Sequence, residues 1–270
     1  MIRVSTRQYA TFSEREIAGC IKSQFHDRIV MQLAIIETGR PPEPLQNTWP
    51  DYPAMFRALL APEIPELSTT TISLIAGDRL PDTHEQDAVL ITGSPYGVYD
   101  SEPWIETLIK FIQVTAKSGT PQIGICFGHQ ILAKAFGADV GKSEKGWGIG
   151  RHVYDIIHRP DWMQNQPASQ FALGVSHQDQ VKSLAEHAIV FASSDFTPYA
   201  ALHYPQHKAI SFQGHPEFSA EFSCALYDIR RGTKLSDDQV RSAHQSLSAP
   251  VDNELVGRWI AQYLKTSLGR

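Results

Sequence analysis

An α/β fold, built on an open and largely parallel sheet with helices on both faces, is what three features of this sequence predict. Apolar runs of strand length alternate with helix-periodic segments in the order strand, helix, strand, strand, helix, strand. The strand runs are apolar almost throughout, the pattern of strands covered on both faces. Beyond residue 137 the texture changes to short, glycine-punctuated β segments, which predict hairpins extending the same sheet.

The first strand is IVMQLAIIE (29–37), closed by TGRPPEPLQNTWPDYP, whose prolines forbid regular structure. AMFRALLA (54–61) predicts a short helix, TTISLIAGD (70–78) a strand, and DAVLITGSP (87–95) another that ends on Gly93. WIETLIKFIQVTAKSG (104–119) is the clearest amphipathic helix, with Ile105, Leu108, Ile109 and Ile112 on one face and Gly119 as its stop. PQIGIC (121–126) is the next strand, and the helix after it buries Ile131, Leu132, Ala135 and Phe136 and ends at Gly137. The later β segments lie within 139–157, 171–181, 187–195, 200–204 and 209–218. SAEFSCALYDIRR (219–231) predicts a helix, a polar link follows, and NELVGRWIAQYLKTS (253–267) is a terminal helix.

No linker or repeat divides the chain, so residues 29–270 form one domain and residues 1–28, polar and without apolar periodicity, are a poorly ordered extension. Met31 reads equally well as a core methionine or as a translation start.

A hydrophobic fraction of 42% supports a substantial core, and a net charge of −5 gives no electrostatic reason to expect nucleic acid or an anionic membrane as partner. No apolar run approaches the length of a membrane helix, and the first 20 residues lack a secretory apolar core. The three cysteines, Cys20, Cys126 and Cys224, contain no C-x-x-C pair, which argues against a disulfide framework or a thiolate metal site. A reducing, cytoplasmic setting is expected, with no metal and no organic cofactor.

The chemistry centres on Gly124-Ile125-Cys126-Phe127-Gly128, a G-x-C-x-G at the junction of a strand and a helix. A strand that turns abruptly into a helix holds its corner residue in strained backbone angles, and flanking glycines leave room where a Cβ would collide. At a helix N-terminus the dipole favours thiolate over thiol, and the next backbone N–H, that of Phe127, can meet an oxyanion. A thiolate nucleophile needs a base and an orienter for the base. Among 11 histidines, His215 in AISFQGHPEF has the best setting, because Glu217 stands two residues on, on the same face of an extended chain.

LITGSP, GICFGHQ and GHPEF, in this order and with comparable separation, resemble the three signatures of class I glutamine amidotransferase domains, a similarity running from about Met31 to Phe218. The resemblance implies a flavodoxin-like three-layer fold, Cys126 as nucleophile, His215 as general base then acid, and Glu217 as orienter. It further implies an oxyanion hole from the backbone N–H groups of Gly93 and Phe127. Gln130 resembles the family's substrate-contacting glutamine. VSHQDQV resembles the S-H-G-D segment, which implies that the backbone near Ser176 and His177 holds the α-amino acid end of a γ-glutamyl substrate. Two departures bear on pocket shape: Ser94 follows Gly93 where many relatives have a second glycine, and Gln178 replaces the glycine of S-H-G-D.

Three readings follow. The chain could hydrolyse γ-glutamyl amides such as glutamine or γ-glutamyl peptides by itself, supply ammonia to a separate synthetase, or bind without turnover. It reads as a lone glutaminase-type domain, resembling the amidotransferase half of GMP synthetase without the pyrophosphate loop of the ATP-using half. A cysteine peptidase of this architecture would place a histidine directly after Cys126, where Phe127 stands. A cysteine α/β-hydrolase would place an acid between nucleophile and histidine. GADVGKS (137–143) is one residue short of a phosphate-binding loop and follows a helix rather than a strand. RRGTK (230–234) reads as a solvated helix end, Cys20 and Cys224 as inert, and GWGIG (146–150) as either a loop over the pocket or a tight hairpin.

Overall fold

The computed structural model describes residues 30–82, 85–163 and 167–270; the extension expected at 1–28 lies outside them. The first half runs β1 (Met31–Glu37), α1 (Tyr52–Leu60), β2 (Leu67–Ser73), β3 (Ala88–Ile91), α2 (Pro103–Ser118), β4 (Gln122–Ile125) and α3 (Phe127–Ala135). Seven strands follow: β5 (Val140–Lys142), β6 (Gly148–Ile156), β7 (Gln170–His177), β8 (Asp179–Val181), β9 (Ile189–Ser193), β10 (Ala201–Tyr204) and β11 (Ala209–Phe212). Three helices finish the chain: α4 (Ala220–Arg230), α5 (Asp237–Ser246) and α6 (Asn253–Ser267).

Among the described residues nine strands form one sheet in the order β2-β1-β3-β4-β11-β10-β9-β6-β7, and β5 pairs with β8 in a small second sheet. Strands β2, β1, β3, β4 and β11 are parallel. The remaining four extend the sheet with antiparallel pairings, the hairpin half expected from the glycine-rich texture. Side chains alternate between the faces of a strand, and β1 divides accordingly. Leu33 and Ile35 join one core with Phe56 and Leu60 of α1 and Trp259, Ile260 and Leu264 of α6. Ala34 and Ile36 join another with Leu108 and Ile112 of α2 and Ile131 and Leu132 of α3. The sheet is therefore the middle of three layers, and a Leu or Ile to Ala change in either core costs about 2–5 kcal/mol.

Local signals explain most boundaries. Asp51 caps α1, its carboxylate accepting from the Ala54 N–H at 2.6 Å. Gly119, at φ 74°, ends α2 in the left-handed region. Strand β2 begins and ends earlier than expected, because its run of threonines suits an exposed edge strand and Gly77, at φ 88°, turns the chain after a short 3-10 segment. The stretch read as a polar link contains α5. Its start is a capping box, with the Ser236 hydroxyl accepting from the Gln239 N–H and the Gln239 side chain accepting from the Ser236 N–H. That helix buries only Val240 and Ala243, too little apolar periodicity to stand out in the sequence.

Candidate active site

The carboxyl ends of the parallel strands, where ligands collect in open α/β sheets, bring the expected site residues together. Gly93 follows β3, Cys126 follows β4 and His215 follows β11, while Ser176 and His177 end β7, which four successive antiparallel pairings leave running in the same sense as β11.

Cys126 sits at φ 53° and ψ −99°, a conformation that L-residues adopt at a cost on the order of 1–3 kcal/mol. The surroundings enforce it. The Cys126 N–H donates to the Phe212 carbonyl at 2.9 Å, and the Gly128 N–H donates to the Thr92 carbonyl at 3.2 Å. A Cβ on Gly124 would lie 2.3 Å from the Gly128 carbonyl oxygen, and one on Gly128 would lie 2.2 Å from that of Ile91. Only glycine fits on either side of the corner.

His215 is anchored by its backbone, its N–H donating to the Gly174 carbonyl at 3.0 Å. Its ring is held twice: Nδ1 is 2.8 Å from Glu217 Oε1, and the imidazole stacks on Phe218 with ring centroids 3.8 Å apart. Burial, the largest single influence, works against the charged ring. The Glu217 carboxylate, hydrogen-bonded to the ring, and Cys126 together outweigh it and raise the His215 pKa well above its usual value. The arrangement thus favours the charged imidazolium form of His215, which can deliver a proton.

Gly93 touches both groups, since a Cβ there would meet His215 Cε1 at 2.9 Å and Cys126 Cβ at 3.7 Å. Its carbonyl accepts from the Thr38 and Thr92 hydroxyls at 3.1 Å each, and the Ser94 hydroxyl donates to the Thr38 carbonyl at 2.6 Å, so this loop is tied to the end of β1. Among the described residues neither the Gly93 nor the Phe127 N–H donates a backbone hydrogen bond.

A cavity of about 370 Å³ opens over Cys126 and is also lined by Gln130, Ser176, His177, Asp179 and Arg230. Gln130 is tied in, its amide nitrogen 2.9 Å from the Asp179 carbonyl. His177 Nδ1 lies 3.1 Å from the same carbonyl, and burial pushes its pKa down to about 3, so it is a neutral ring. The rival histidines lie elsewhere: His129 is buried against the Ser211 hydroxyl at 2.8 Å, and His203 packs edge-on to Trp162.

Sequence reasoning missed two features. RRGTK was expected to be a solvated helix end, yet Arg230 points into the site and donates to the Ser176 hydroxyl, because the last turn of α4 faces the cavity. Tyr52, at the start of α1, packs against Phe218 with centroids 5.7 Å apart and is electrostatically coupled to Arg230, Glu217 and Cys126. Of the two readings of GWGIG, the structure favours the loop over the pocket: Trp147 lines the cavity just before β6, and Gly148 is already part of that strand. Among the described residues no three His, Cys, Asp or Glu side chains form a group able to hold a metal ion, and no helix is long and apolar enough to cross a membrane.

The family model for glutamine amidotransferase class-I matches residues 62–223, well over half of the chain. The chain belongs to this family. A glutamine amidotransferase-like protein of Schizosaccharomyces pombe is 28% identical to this amidotransferase-family chain over 86% of its length and 98% of its own. Gamma-glutamyl peptidase 5 of Arabidopsis thaliana is 30% identical over 58% of the chain and 63% of its own length. Among solved structures, a glutamine amidotransferase of Thermotoga maritima superposes with a TM-score of 0.69 over 89% of the chain and 99% of its own, at 20% identity, which shows the shared fold.

Proposed function

We propose that this class I amidotransferase-type protein is a thiol-dependent hydrolase of γ-glutamyl amide bonds, acting on glutamine or on γ-glutamyl peptides and conjugates. The observation that carries the reading is the strained Cys126 at a helix N-terminus, next to a buried His215 whose other nitrogen is held by Glu217. Cys126 Sγ attacks the γ-carbonyl carbon, and the developing oxyanion is received by the N–H groups of Gly93 and Phe127. The carbon–nitrogen bond breaks as His215 gives its proton to the departing amine. A water molecule then gives a proton to His215 and attacks the thioester, the carbon–sulfur bond breaks, and glutamate leaves. Gln130 and the backbone around Ser176 and His177 hold the α-amino acid end of the glutamyl group.

The similarity to gamma-glutamyl peptidases of Arabidopsis thaliana supports hydrolysis of γ-glutamyl peptides. A second reading, ammonia supply to a separate synthetase, rests on similarity to a glutamine-hydrolyzing GMP synthase component of Archaeoglobus fulgidus, 34% identical over 40% of the chain and 58% of that protein. Incubating the purified chain with glutamine, glutathione and γ-glutamyl dipeptides and measuring free glutamate decides between them. Turnover by the isolated chain supports the hydrolase. Turnover of none of them until a co-purifying synthetase is added supports the donor.

A further inference from the structure

Two cavities share Cys126. The larger extends toward Gln130, His177 and Asp179. The smaller, of about 220 Å³, extends toward His215 and is walled by Tyr52, Phe218, Leu226 and Pro42. In acyl transfer to a thiolate, the acid that protonates the leaving nitrogen stands on the leaving-group side. The His215 side is therefore the leaving-group side, and departing ammonia needs no cavity of this size or apolar wall.

Two guanidinium groups line that cavity, Arg230 at the border it shares with the larger one, and they differ in one respect. Arg40 is already paired with Glu37, Nη2 to Oε2 at 3.0 Å. Arg230 is only partly exposed, and among the described residues no carboxylate lies within ion-pairing distance of it. Its neighbours are the Ser176 hydroxyl and the face of Trp147, 5.6 Å from ring centroid to guanidinium carbon. Burial, the largest influence, lowers its pKa although Tyr52, Cys126 and Tyr227 act to raise it. A partly desolvated guanidinium beside a nucleophile, with no carboxylate of the protein to pair with, is suited to a carboxylate of a ligand.

We propose that the cavity on the His215 side is a subsite for the leaving amine of a γ-glutamyl peptide and that Arg230 receives the carboxylate of that leaving residue. The proposal rests on the γ-glutamyl hydrolase reading and narrows its substrate class. Substrates whose amine part carries a carboxylate gain a counter-ion that glutamine cannot use at this end.

The test compares glutamine, γ-glutamylalanine and the C-terminal amide of γ-glutamylalanine, with wild type, Arg230→Gln and Arg230→Lys. The expected result is a 10- to 100-fold loss of kcat/KM for γ-glutamylalanine in Arg230→Gln, carried mainly by KM, roughly the effect of losing one charge-assisted hydrogen-bond pair. Glutamine and the amide should change less than about 3-fold, and Arg230→Lys should recover part of the loss. Equal losses on all three substrates would overturn the assignment by moving the arginine to the α-carboxylate common to all of them. No loss on any would overturn it as well. Thermal melts check that the variants fold. Calorimetric binding of γ-glutamylalanine and its amide in a Cys126→Ala background reads the same contrast without turnover. A wild type that hydrolyses nothing would thus count against the hydrolase reading alone, while binding still decides the role of Arg230.

Discussion

The imidazole of His215 lies flat on the ring of Phe218, with centroids 3.8 Å apart and planes 5° from parallel. Glu217 fixes the ring from its edge and Phe218 from its face, so both contacts come from the same four residues, His215 to Phe218. An imidazole held on two sides cannot rotate without breaking both contacts.

This pairing makes Phe218 a positioning residue. With glutamine, whose departing ammonia does not reach the cavity that Phe218 walls, Phe218→Leu should lower kcat about 10-fold with little change in KM, because ring alignment is lost. Phe218→Ala should in addition cost about 3–5 kcal/mol of stability, as the side chain is fully buried. Steady-state kinetics beside thermal melts separate the two effects; an unchanged kcat in Phe218→Leu would show that Glu217 orients the ring without help.

The three residues of the Cys-His-Glu set should fail in a graded way. Cys126→Ala and His215→Ala should each reduce glutamate release to background, while Glu217→Gln should lose about 10- to 100-fold, since it removes an orienter rather than a proton carrier. The double variant Cys126→Ala/His215→Ala should be no worse than either single one. Residual turnover in Cys126→Ala would remove the cysteine from the mechanism.

Backbone strain at the corner gives a stability prediction of opposite sign to the activity. Cys126→Gly should be inactive but more stable than Cys126→Ala by about 1 kcal/mol, because glycine relaxes at φ 53° and alanine does not. Gly128→Ala should not fold stably, its Cβ meeting the Ile91 carbonyl oxygen at 2.2 Å. Chemical denaturation of the three variants checks both statements.

Much of this site was legible before the fold was. Cys126, His215 and Glu217 announce themselves because strained corners demand glycine neighbours and because two residues on an extended chain share a face. Arg230 was not legible: a basic cluster at a helix end looks the same whether the last turn faces solvent or a cavity, and only the packing of α4 against β7 decides that. Tyr52 was hidden for a related reason, lying 74 residues from Cys126 (126 − 52) in a proline-rich stretch whose position depends on tertiary contacts. The α5 helix had a readable signal in Ser236-Asp237-Asp238-Gln239, a capping box whose following helix was too polar to be noticed.

Stability should peak near neutral pH, for two opposed reasons. Burial lowers the pKa of His129 and His177 to about 3, and of His152 and His203 to about 4. The unfolded chain takes up those protons first, so their contribution is complete above about pH 6.5 and is lost as pH falls toward 4 and 3. The His215 pKa is instead raised. Its contribution is complete below about pH 6.5 and is lost as pH rises through its folded value, by at most about 1.4 kcal/mol per pH unit. Melting temperatures between pH 4.5 and 9.5 should fall on both sides. Glu217→Gln should flatten the alkaline side alone, and an unchanged alkaline slope in that variant would mean that His215 is not charged in the folded state.

In the proposed mechanism every glutamyl group passes through Cys126. Acid-quenching the protein in steady state with γ-glutamyl substrate, followed by intact mass and peptide mapping, tests this most directly. A mass increase of one glutamyl group on the peptide containing Cys126, absent from Cys126→Ala, is the result predicted. Glutamate release with no acyl group on Cys126 at any quench time, and undiminished in Cys126→Ala, would contradict it.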